Sequence, residues 1–320
     1  MASCWLRGQS TRRPPAVFSA PRSEFWTVGL VPLPVAQLTP QRLVEVRERI
    51  VWMPDPGPWR YCADPFALQE GDRLQVFVEA YDYRTKRGVI EQHVVDLEQQ
   101  RWARIGTALV QPFHLSYPFV FRHQGRNWMI PESAKAGEIA LYSAGPTLMD
   151  WQRECALLPG VPGVDATVLE HDGRWWMFYA IYGKGSRDRR ELHMAWADNL
   201  CGPWQTCGNS PIHVGFANSR PAGTPWVADD GSIRLPVQDC QGGYGVATSW
   251  LRLTDLSARG AQVQALPDRL TGDMAHSVFT EGLHTVTACG DWTLIDVKRS
   301  ERSRYRQWLD LKRRLRRLVG

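Results

Sequence analysis

Four segments of the chain resemble one another and decide its fold. They are ADPFALQEGDRLQVFVEAYD (63–82), SYPFVFRHQGRNWMIPESAK (116–135), VDATVLEHDGRWWMFYAIYG (164–183) and SRPAGTPWVADDGSIRLPVQD (219–239). A shorter fifth copy, HTVTACGDWTLID, covers 284–296. The copies begin about 50 to 65 residues apart, which is the interval expected for the four-stranded blades of a β-propeller.

Each copy predicts a β-hairpin at the centre of a blade. An apolar strand leads into a polar turn, and a second strand rich in aromatic and β-branched residues follows. Glycine recurs in the turns because it adopts positive φ at little steric cost. These turn glycines are Gly71, Gly125, Gly173, Gly231 and Gly290. The strand that begins at Phe25 is expected to complete the last blade and close the ring.

The sequence therefore predicts an all-β protein, a five-bladed β-propeller over 25–297. A β-sandwich has similar strand content, but five matched repeats favour the propeller. We expect 1–24 to be a disordered leader, since it carries four arginines among Ser and Pro and lacks the apolar core of a secretory signal. We expect 298–320 to be a basic helical tail.

The tail carries most of the basic charge. Ten Lys or Arg and two acids lie between Lys298 and Gly320, whereas the whole chain has a net charge of only +5. The rest of the chain is slightly acidic, so we expect no nucleic-acid partner. Within 302–319, apolar residues recur at helical spacing among arginines: Trp308, Leu311, Leu315 and Leu318. This pattern is typical of an amphipathic helix on an anionic membrane. A helix docked on the propeller or on a partner is equally compatible.

Cysteine usage indicates the compartment. The seven cysteines form no CxxC pair and no metal-ligand spacing, so we expect free thiols and no metal or other cofactor. Free thiols and the lack of an export signal predict a cytoplasmic protein, with peripheral attachment to the inner membrane as a further option.

One repeat position brings chemistry together. The first strand of each blade is innermost in a propeller, so the residues at its start converge on the axis. Here they are Asp64, Tyr117, Asp165, Arg220 and His284. Acids, a guanidinium and an imidazole at a converging position are costly unless they are paired or hydrated. Their presence points either to a functional site or to an ion-pair cluster that seals the channel.

A second position enlarges this polar group. Glu79 and Glu132 lie fifteen residues after the first position, and the fourth copy offers Gln238 and Asp239 there. His114 precedes the second copy and is an equally good candidate for a ligand-binding residue or a satisfied loop histidine. Paired carboxylates suit glycosyl chemistry, in which one acts as acid and the other as base or nucleophile. Trp and Tyr rings supply apolar faces for sugars.

Taken together, the repeated motifs resemble a known family. ADPF at Ala63, the span from His114 to Ser133, DAT at Asp165, SRPAG at Ser219, QDC at Gln238 and GLHT at Gly282 occur together. They resemble the N-terminal domain of plant glucosamine inositolphosphorylceramide transferases and its bacterial relatives, from about Trp26 to Asp296. The separate glycosyltransferase module of the plant proteins lies outside this resemblance.

That domain is similar in fold to the family-43 glycoside hydrolases, five-bladed propellers that act on arabinan and xylan. The resemblance implies that Asp64 corresponds to their general base and Asp165 to the acid that tunes the proton donor. Their catalytic Glu corresponds in position to Arg220, which is a departure from the pattern. Glu132 or Glu79 would then have to supply the proton.

These observations predict a carbohydrate-active propeller in cell-envelope polysaccharide or glycolipid biosynthesis. We expect it to act on or bind a sugar, anionic or phosphate-linked because Arg220 suits an anion. The predicted catalytic residues are Asp64, Asp165 and Glu132. The predicted substrate-binding residues are Glu79, His114, Tyr117, Arg220, Gln238, Asp239 and His284. A non-catalytic glycan-binding module that serves a separate glycosyltransferase, or a family-43-like hydrolase, is the alternative.

Overall fold

The computed structural model describes residues 20–319, apart from the side chains of residues 184, 187 and 316–319. The chain begins with β1 (Arg22–Val31), a short helix α1 (Pro40–Val46) and β2 (Val51–Trp52). The first blade follows as β3 (Arg60–Glu70), β4 (Arg73–Asp82), β5 (Arg87–Asp96) and β6 (Arg101–Leu109). The second is β7 (Ser116–His123), β8 (Arg126–Glu132), β9 (Glu138–Ala144) and β10 (Trp151–Pro159).

The third blade comprises β11 (Gly163–His171), β12 (Arg174–Ile181), β13 (Glu191–Ala197) and β14 (Gln205–Thr206), with β15 (His213–Val214) also on β13. The fourth comprises β16 (Arg220–Pro221), β17 (Trp226–Val227), β18 (Ile233–Asp239), β19 (Ala247–Ser257) and β20 (Gly260–Thr271). A one-turn helix α2 (Gly272–Ala275) leads to β21 (Val286–Cys289) and β22 (Trp292–Arg302). The chain then enters α3 (Arg304–Val319).

Two ends of the chain close the ring. The fifth sheet has the order β2-β1-β22-β21, so the strand nearest the N-terminus pairs antiparallel with the last strand. This pairing confirms that the early strand completes the last blade and that the fold is a five-bladed propeller. Backbone groups of Ala222 and Val286 link the fourth blade to the fifth. All neighbouring strands within the blades are antiparallel.

The boundaries of the propeller differ by a few residues from those expected. Arg22 to Glu24 lie in β1, because they pair with Ser300 to Arg302, and β22 extends past residue 297 for the same reason. The rest of the expected leader, residues 1–19, lies outside the described residues.

Aromatic packing between the blades fills the core. Buried Phe66, Tyr117 and Phe119 pack edge-to-face between the first two blades. Trp175 and Trp176 are also buried, as expected for residues that pack one blade against the next. All five turn glycines have positive φ, and in two turns the preceding Gln124 or Asp172 does as well, which is the type I′ geometry that favours hairpins.

Candidate functional site

The inner strands of three blades carry the same backbone distortion at the position that holds the polar residues. The pairing of β3 with β4 shifts after Ala63, and equivalent shifts occur in the β7–β8 and β11–β12 pairs. Inside these bulges Asp64, Tyr117 and Asp165 have φ of 51°, 44° and 50°. Left-handed backbone at non-glycine residues is strained and is concentrated at functional sites. The bulges turn these residues out of the regular strand alternation.

Asp64 lies in a hydrogen-bonded group that joins the first and last blades. Its Oδ1 accepts a hydrogen bond from the Thr285 hydroxyl at 2.9 Å and lies 3.5 Å from Nε2 of His284. Its Oδ2 accepts the backbone N–H of Tyr117 at 3.3 Å. Burial raises the pKa of Asp64 to about 6; nearby His284 opposes this shift and Asp296 adds to it. Asp64 therefore exchanges a proton near neutral pH.

Asp296 organises that group. Its Oδ1 accepts the backbone N–H groups of His284 and Thr285 and lies 2.8 Å from His284 Nδ1. Its Oδ2 accepts the backbone N–H of Asp64 at 2.9 Å. Burial disfavours the charged form of His284, but the carboxylates of Asp296 and Asp64 outweigh it and raise the pKa of the imidazole. The ring of Trp26 stacks on His284 with centroids 3.8 Å apart.

Arg220 forms the second half of the site. Its Nε and Nη2 donate to the two oxygens of Asp165 at 2.5 and 3.2 Å, a bidentate ion pair. Nη1 donates to Asp188 at 3.2 Å, and Nη2 lies 3.4 Å from the Tyr244 hydroxyl. The amide of Gln238 also donates to Asp165, at 2.9 Å. The predicted residues Asp165, Arg220 and Gln238 are thus in direct contact.

Glu132 lies beside this ion pair and is more open than the other two predicted catalytic acids. Its Oε2 is 3.6 Å from Nη2 of Arg220, and 14% of its side chain is exposed, against 3% for Asp165 and 7% for Asp64. Burial and the negative charge of Asp165 raise the pKa of Glu132 well above its usual value; Arg220 opposes them only in part. These surroundings favour the protonated form of Glu132 over the carboxylate.

Glu79 and His114 form a pair on the first blade. Nε2 of His114 is 3.4 Å from Glu79, and Nδ1 accepts the backbone N–H of Gly88 at 2.9 Å. A side chain at position 88 would clash with His114, so glycine permits this approach. Burial and the nearby charge of Lys135 lower the pKa of His114 to about 4. Burial and the charge of Asp64 raise the pKa of Glu79 well above its usual value, which favours its uncharged form.

Two predicted binding residues have other partners. The Tyr117 hydroxyl accepts the backbone N–H of Gly223 at 2.6 Å, and the side chain is fully buried, so it packs between blades. Asp239 pairs with Arg269 of β20 at 2.8 Å and accepts the backbone N–H of Gln241. The polar atoms of both side chains are therefore engaged within the protein.

Four residues of the site were missed by sequence reasoning. Trp26 lies on β1, whereas Asp188 and Tyr244 lie between strands of the third and fourth blades. All three are outside the repeat, so no repeat position could identify them. Asp296 lies opposite the start of the inner strand of the fifth blade, as Glu79 and Glu132 do in the first and second blades. Extending the second repeat position, that of Glu79 and Glu132, to the fifth copy would have identified Asp296.

The axial cluster is defined here as Asp64, Glu79, Glu132, Asp165, Asp188, Arg220, His284 and Asp296. It has six acids and two basic groups, so its interior does not favour an added anion. Glu132 and Asp188 are its partly exposed members, with 14% and 16% of their side chains open. We call the side of the cluster that carries these two residues its opening. The ring of half-buried Tyr244 lies 5.2 Å from the Arg220 guanidinium.

Within residues 20–319, two groups of side chains have donor atoms close enough to hold a cation. The first group is formed by Asp64, His284 and Asp296. Both carboxylate oxygens of Asp296 already accept hydrogen bonds from the protein. In Cys62, Glu91 and His93 the carboxylate is bound by Arg60 and by Arg104, at 2.9 and 2.7 Å. Burial also raises the pKa of Cys62 to about 12, which disfavours the thiolate that a metal needs. Neither donor set fits a metal well.

The comparisons with solved structures agree with the fold. The protein is similar to a thermostable family-43 glycoside hydrolase at a TM-score of 0.50 and 15% identity, over 64% of this chain and 75% of that one. It is similar to an α-L-arabinofuranosidase from Podospora anserina at a TM-score of 0.54 and 12% identity, over 77% of this chain and 93% of that one. At these identities the likeness shows the propeller fold alone.

Sequence relatives identify the family. The chain is 32% identical over 191 residues to glucosamine inositolphosphorylceramide transferase 1 of Oryza sativa subsp. indica, which is 59% of this chain and 25% of that protein. It is 29% identical over 229 residues to the protein of the same name from Arabidopsis thaliana, covering 65% of this chain and 30% of that one. The chain thus spans about a quarter to a third of these relatives. The family described as "Glucosamine inositolphosphorylceramide transferase 1, N-terminal" matches residues 54–266, and the chain belongs to that family.

Proposed function

We propose that the axial cluster binds a sugar ring and that Glu132 donates a proton to the oxygen that leaves the anomeric carbon of that sugar, during glycosyl chemistry in cell-envelope polysaccharide or glycolipid synthesis. The observation that carries this proposal is the position of Glu132, a partly exposed acid 3.6 Å from Arg220 of the Asp165–Arg220 ion pair, where burial and the charge of Asp165 raise its pKa. A buried acid held neutral by its surroundings is the arrangement that glycoside-cleaving enzymes use for their proton donor.

The other groups have complementary roles in this proposal. Asp165 raises the pKa of Glu132 through its charge and fixes Arg220. Asp64, with a pKa of about 6, is the base that accepts a proton from an attacking hydroxyl. Tyr244 offers a ring face at the opening for the apolar side of the sugar, and its hydroxyl binds a sugar hydroxyl.

The charge of the site limits where an anionic group would bind. Arg220 already faces Asp165, Asp188 and Glu132, so its positive charge is offset. Two other cations lie near the opening: exposed Lys135 beside Tyr182, and Arg189 5.8 Å from the Tyr244 ring. We therefore propose a phosphate-linked sugar whose uncharged ring enters the cluster while the phosphate remains outside, on Lys135 and Arg189.

A non-catalytic glycan-binding module is the second candidate. It is favoured by the hydrogen bonds to Asp64, whose oxygens accept from Thr285 and Tyr117, so that the carboxylate is poorly free to act as a base. Such a module would present its sugar to a separate glycosyltransferase. Simple hydrolysis of the family-43 type is less favoured, because the resemblance assigns Arg220 to the position of the catalytic Glu in those enzymes.

We also propose that α3 brings the propeller to an anionic membrane, at the cytoplasmic side. The face of α3 that contacts the propeller includes Arg306 and Leu309, whereas Trp308, Leu311 and Leu315 are each about half exposed. An exposed apolar stripe flanked by arginines matches a lipid surface of negative charge. Among residues 20–319, no helix is long and apolar enough to cross a bilayer.

The central experiment measures turnover and binding together. The full chain is incubated with UDP-glucose, UDP-N-acetylglucosamine, UDP-glucuronate and the corresponding free sugars. Glu132→Gln is compared with Glu154→Gln, a matched change at a surface glutamate that pairs with Arg126. If Glu132 is the proton donor, its variant loses about 100-fold or more of the turnover while it still binds.

The outcomes separate the candidates. Saturable binding without turnover in the wild type supports the glycan-binding module. Loss of binding in a Lys135→Ala/Arg189→Ala double variant supports the external phosphate. If the wild type neither binds nor turns over any of these compounds, the carbohydrate proposal is wrong.

A further inference from the structure

A cavity lies next to the axial cluster, which it meets at Trp26. It occupies about 540 Å³ between the start of β1, the 53–60 segment before β3 and the 276–279 segment. Its walls carry five aromatic rings: Phe25, Trp26, Trp52, Trp59 and Phe279. We call it the aromatic cleft. Its volume lies within the range usual for small-molecule sites.

The segment that presents Trp59 is stiff and strained. Its sequence, PDPGPW over 54–59, contains three prolines, and Asp55 accepts the backbone N–H of Gly57 at 2.8 Å. Trp59 itself has a left-handed backbone with φ of 62°. A bulky residue in this conformation costs free energy, and the fold retains it to hold the indole at the wall of the cleft.

The polar groups of the cleft are paired and balanced in sign. Arg60 donates to Glu91 at 2.9 Å, and Arg299 pairs with Glu301. Asp55 is also at the wall and adds a carboxylate acceptor. Paired charges leave donors and acceptors for hydroxyl groups but no excess charge that would attract an ion. Aromatic faces with such a polar rim suit an uncharged sugar ring.

We propose that the aromatic cleft is a second saccharide-binding site, specific for uncharged sugars. Trp26 borders both sites: its ring stacks on His284 of the axial cluster, and the residue also lines the cleft. Neighbouring units of one glycan would then occupy the cleft and the axial cluster. The inference rests on the proposed function in taking the ligand to be a saccharide, but it needs none of the axial chemistry.

The alternative is that these rings only pack α3 onto the propeller. Trp59 does contact Tyr305 of α3, at 5.2 Å between centroids, and Phe25 at 5.9 Å. A test must therefore separate loss of binding from loss of folding. The melting temperature of each variant serves this purpose, and Trp59→Phe preserves an aromatic face if Trp59→Ala fails to fold.

The experiment titrates the full chain with maltose, cellobiose, β-1,3-galactobiose and N,N′-diacetylchitobiose, followed by saturation-transfer NMR and calorimetry. At least one disaccharide is expected to bind. Trp59→Ala is expected to weaken that binding at least tenfold, and Trp59→Phe by about threefold. Trp196→Ala, a change at a partly buried tryptophan on β13 of the third blade, is the matched control and should leave binding unchanged.

Glu132→Gln distinguishes this inference from the proposed function. Binding that survives Glu132→Gln but falls in Trp59→Ala supports the cleft, whatever the turnover of nucleotide sugars. Binding that depends on Glu132 and not on Trp59 places the sugar in the axial cluster and overturns this inference alone. Failure of all four disaccharides to bind also overturns it.

Discussion

His114 is a residue whose environment keeps it uncharged. Nδ1 accepts an N–H, Nε2 faces Glu79, and Lys135 is the nearby charge. A protonated imidazole would lose the Gly88 hydrogen bond and gain repulsion from Lys135. The folded protein therefore resists protonation of His114, whereas an unfolded chain protonates it readily below pH 6.5.

This difference predicts a pH dependence of stability. The folded-state pKa of about 4 lies below the unfolded value, so the unfolded chain takes up more protons as pH falls from 6.5 to 4. The contribution of neutral His114 to the free energy of unfolding is complete above pH 6.5 and is lost as the pH falls from 6.5 to 4. Allowing for partial exposure, we expect a loss of about 2 kcal/mol. Urea unfolding at pH 7 and pH 4.5 would show it.

The variant His114→Gln isolates this contribution. Glutamine accepts a hydrogen bond but does not titrate, so its stability should fall less between pH 7 and 4.5 than that of the wild type. The raised pKa of Asp64 acts in the opposite direction, since its protonation favours folding as pH falls through 6, but it is present in both proteins. Equal pH slopes for the two proteins would contradict the neutral state of His114.

At the scale of the strands, the fifth blade is closed by one carboxylate. Asp296 on β22 accepts three backbone N–H groups, one of them from Asp64 on β3, and therefore connects the last blade to the first. It is fully buried. Each of these donors would otherwise be an unpaired buried polar group, which is costly.

Asp296→Asn is expected to destabilise the propeller by about 3–5 kcal/mol, because the amide NH₂ would face backbone donors and His284 would lose its counter-charge. The free energy of unfolding in urea measures this. Asp291→Asn, at the exposed turn between β21 and β22, is the matched control and should change stability by less than about 0.5 kcal/mol. Equal stabilities of the two variants would refute the closing role of Asp296.

The repeat made the hairpins predictable, while the contacts between them were not. Glycine turns and alternating apolar residues are local signals, so all five hairpins and the convergence of Asp64, Asp165 and Arg220 followed from the sequence. The backbone distortion that aims Tyr117 into the blade interface is set by strand pairing over distance, and sequence position alone placed Tyr117 with the polar residues. Trp26 and Tyr244 also could not be predicted, because they reach the site from segments outside the repeat.

At the scale of the whole molecule, α3 lies against the first and last blades. The buried guanidinium of Arg306 lies 4.2 Å from the centre of the Tyr83 ring and donates to Ser23, while Leu309 packs with Phe25 and Tyr83. Asp310 pairs with Arg306 and Lys86. The sequence pattern predicted an amphipathic helix. The face of α3 that binds the propeller carries Arg306, because the Tyr83 ring and the Ser23 hydroxyl are partners for its guanidinium.

This orientation leaves Trp308, Leu311 and Leu315 exposed beside Lys312 and Arg314. We expect the full chain to sediment with vesicles that contain about 30% anionic phospholipid and not with purely zwitterionic vesicles, and the binding should weaken as salt is raised. The double variant Trp308→Ser/Leu311→Ser should reduce the bound fraction severalfold, since it removes apolar area that would be buried in the lipid surface and does not change the charge of the helix.

The control for this prediction must remove an equally exposed apolar side chain elsewhere. Val214 on β15, which is 60% exposed, meets that condition, and Val214→Ser should bind vesicles as the wild type does. Equal binding to anionic and zwitterionic vesicles, or full binding by the Trp308→Ser/Leu311→Ser variant, would contradict the membrane role of α3. The helix also contacts the rim of the aromatic cleft through Tyr305. A propeller held to lipid by α3 would therefore have that cleft close to the membrane surface, where a glycolipid exposes its sugars.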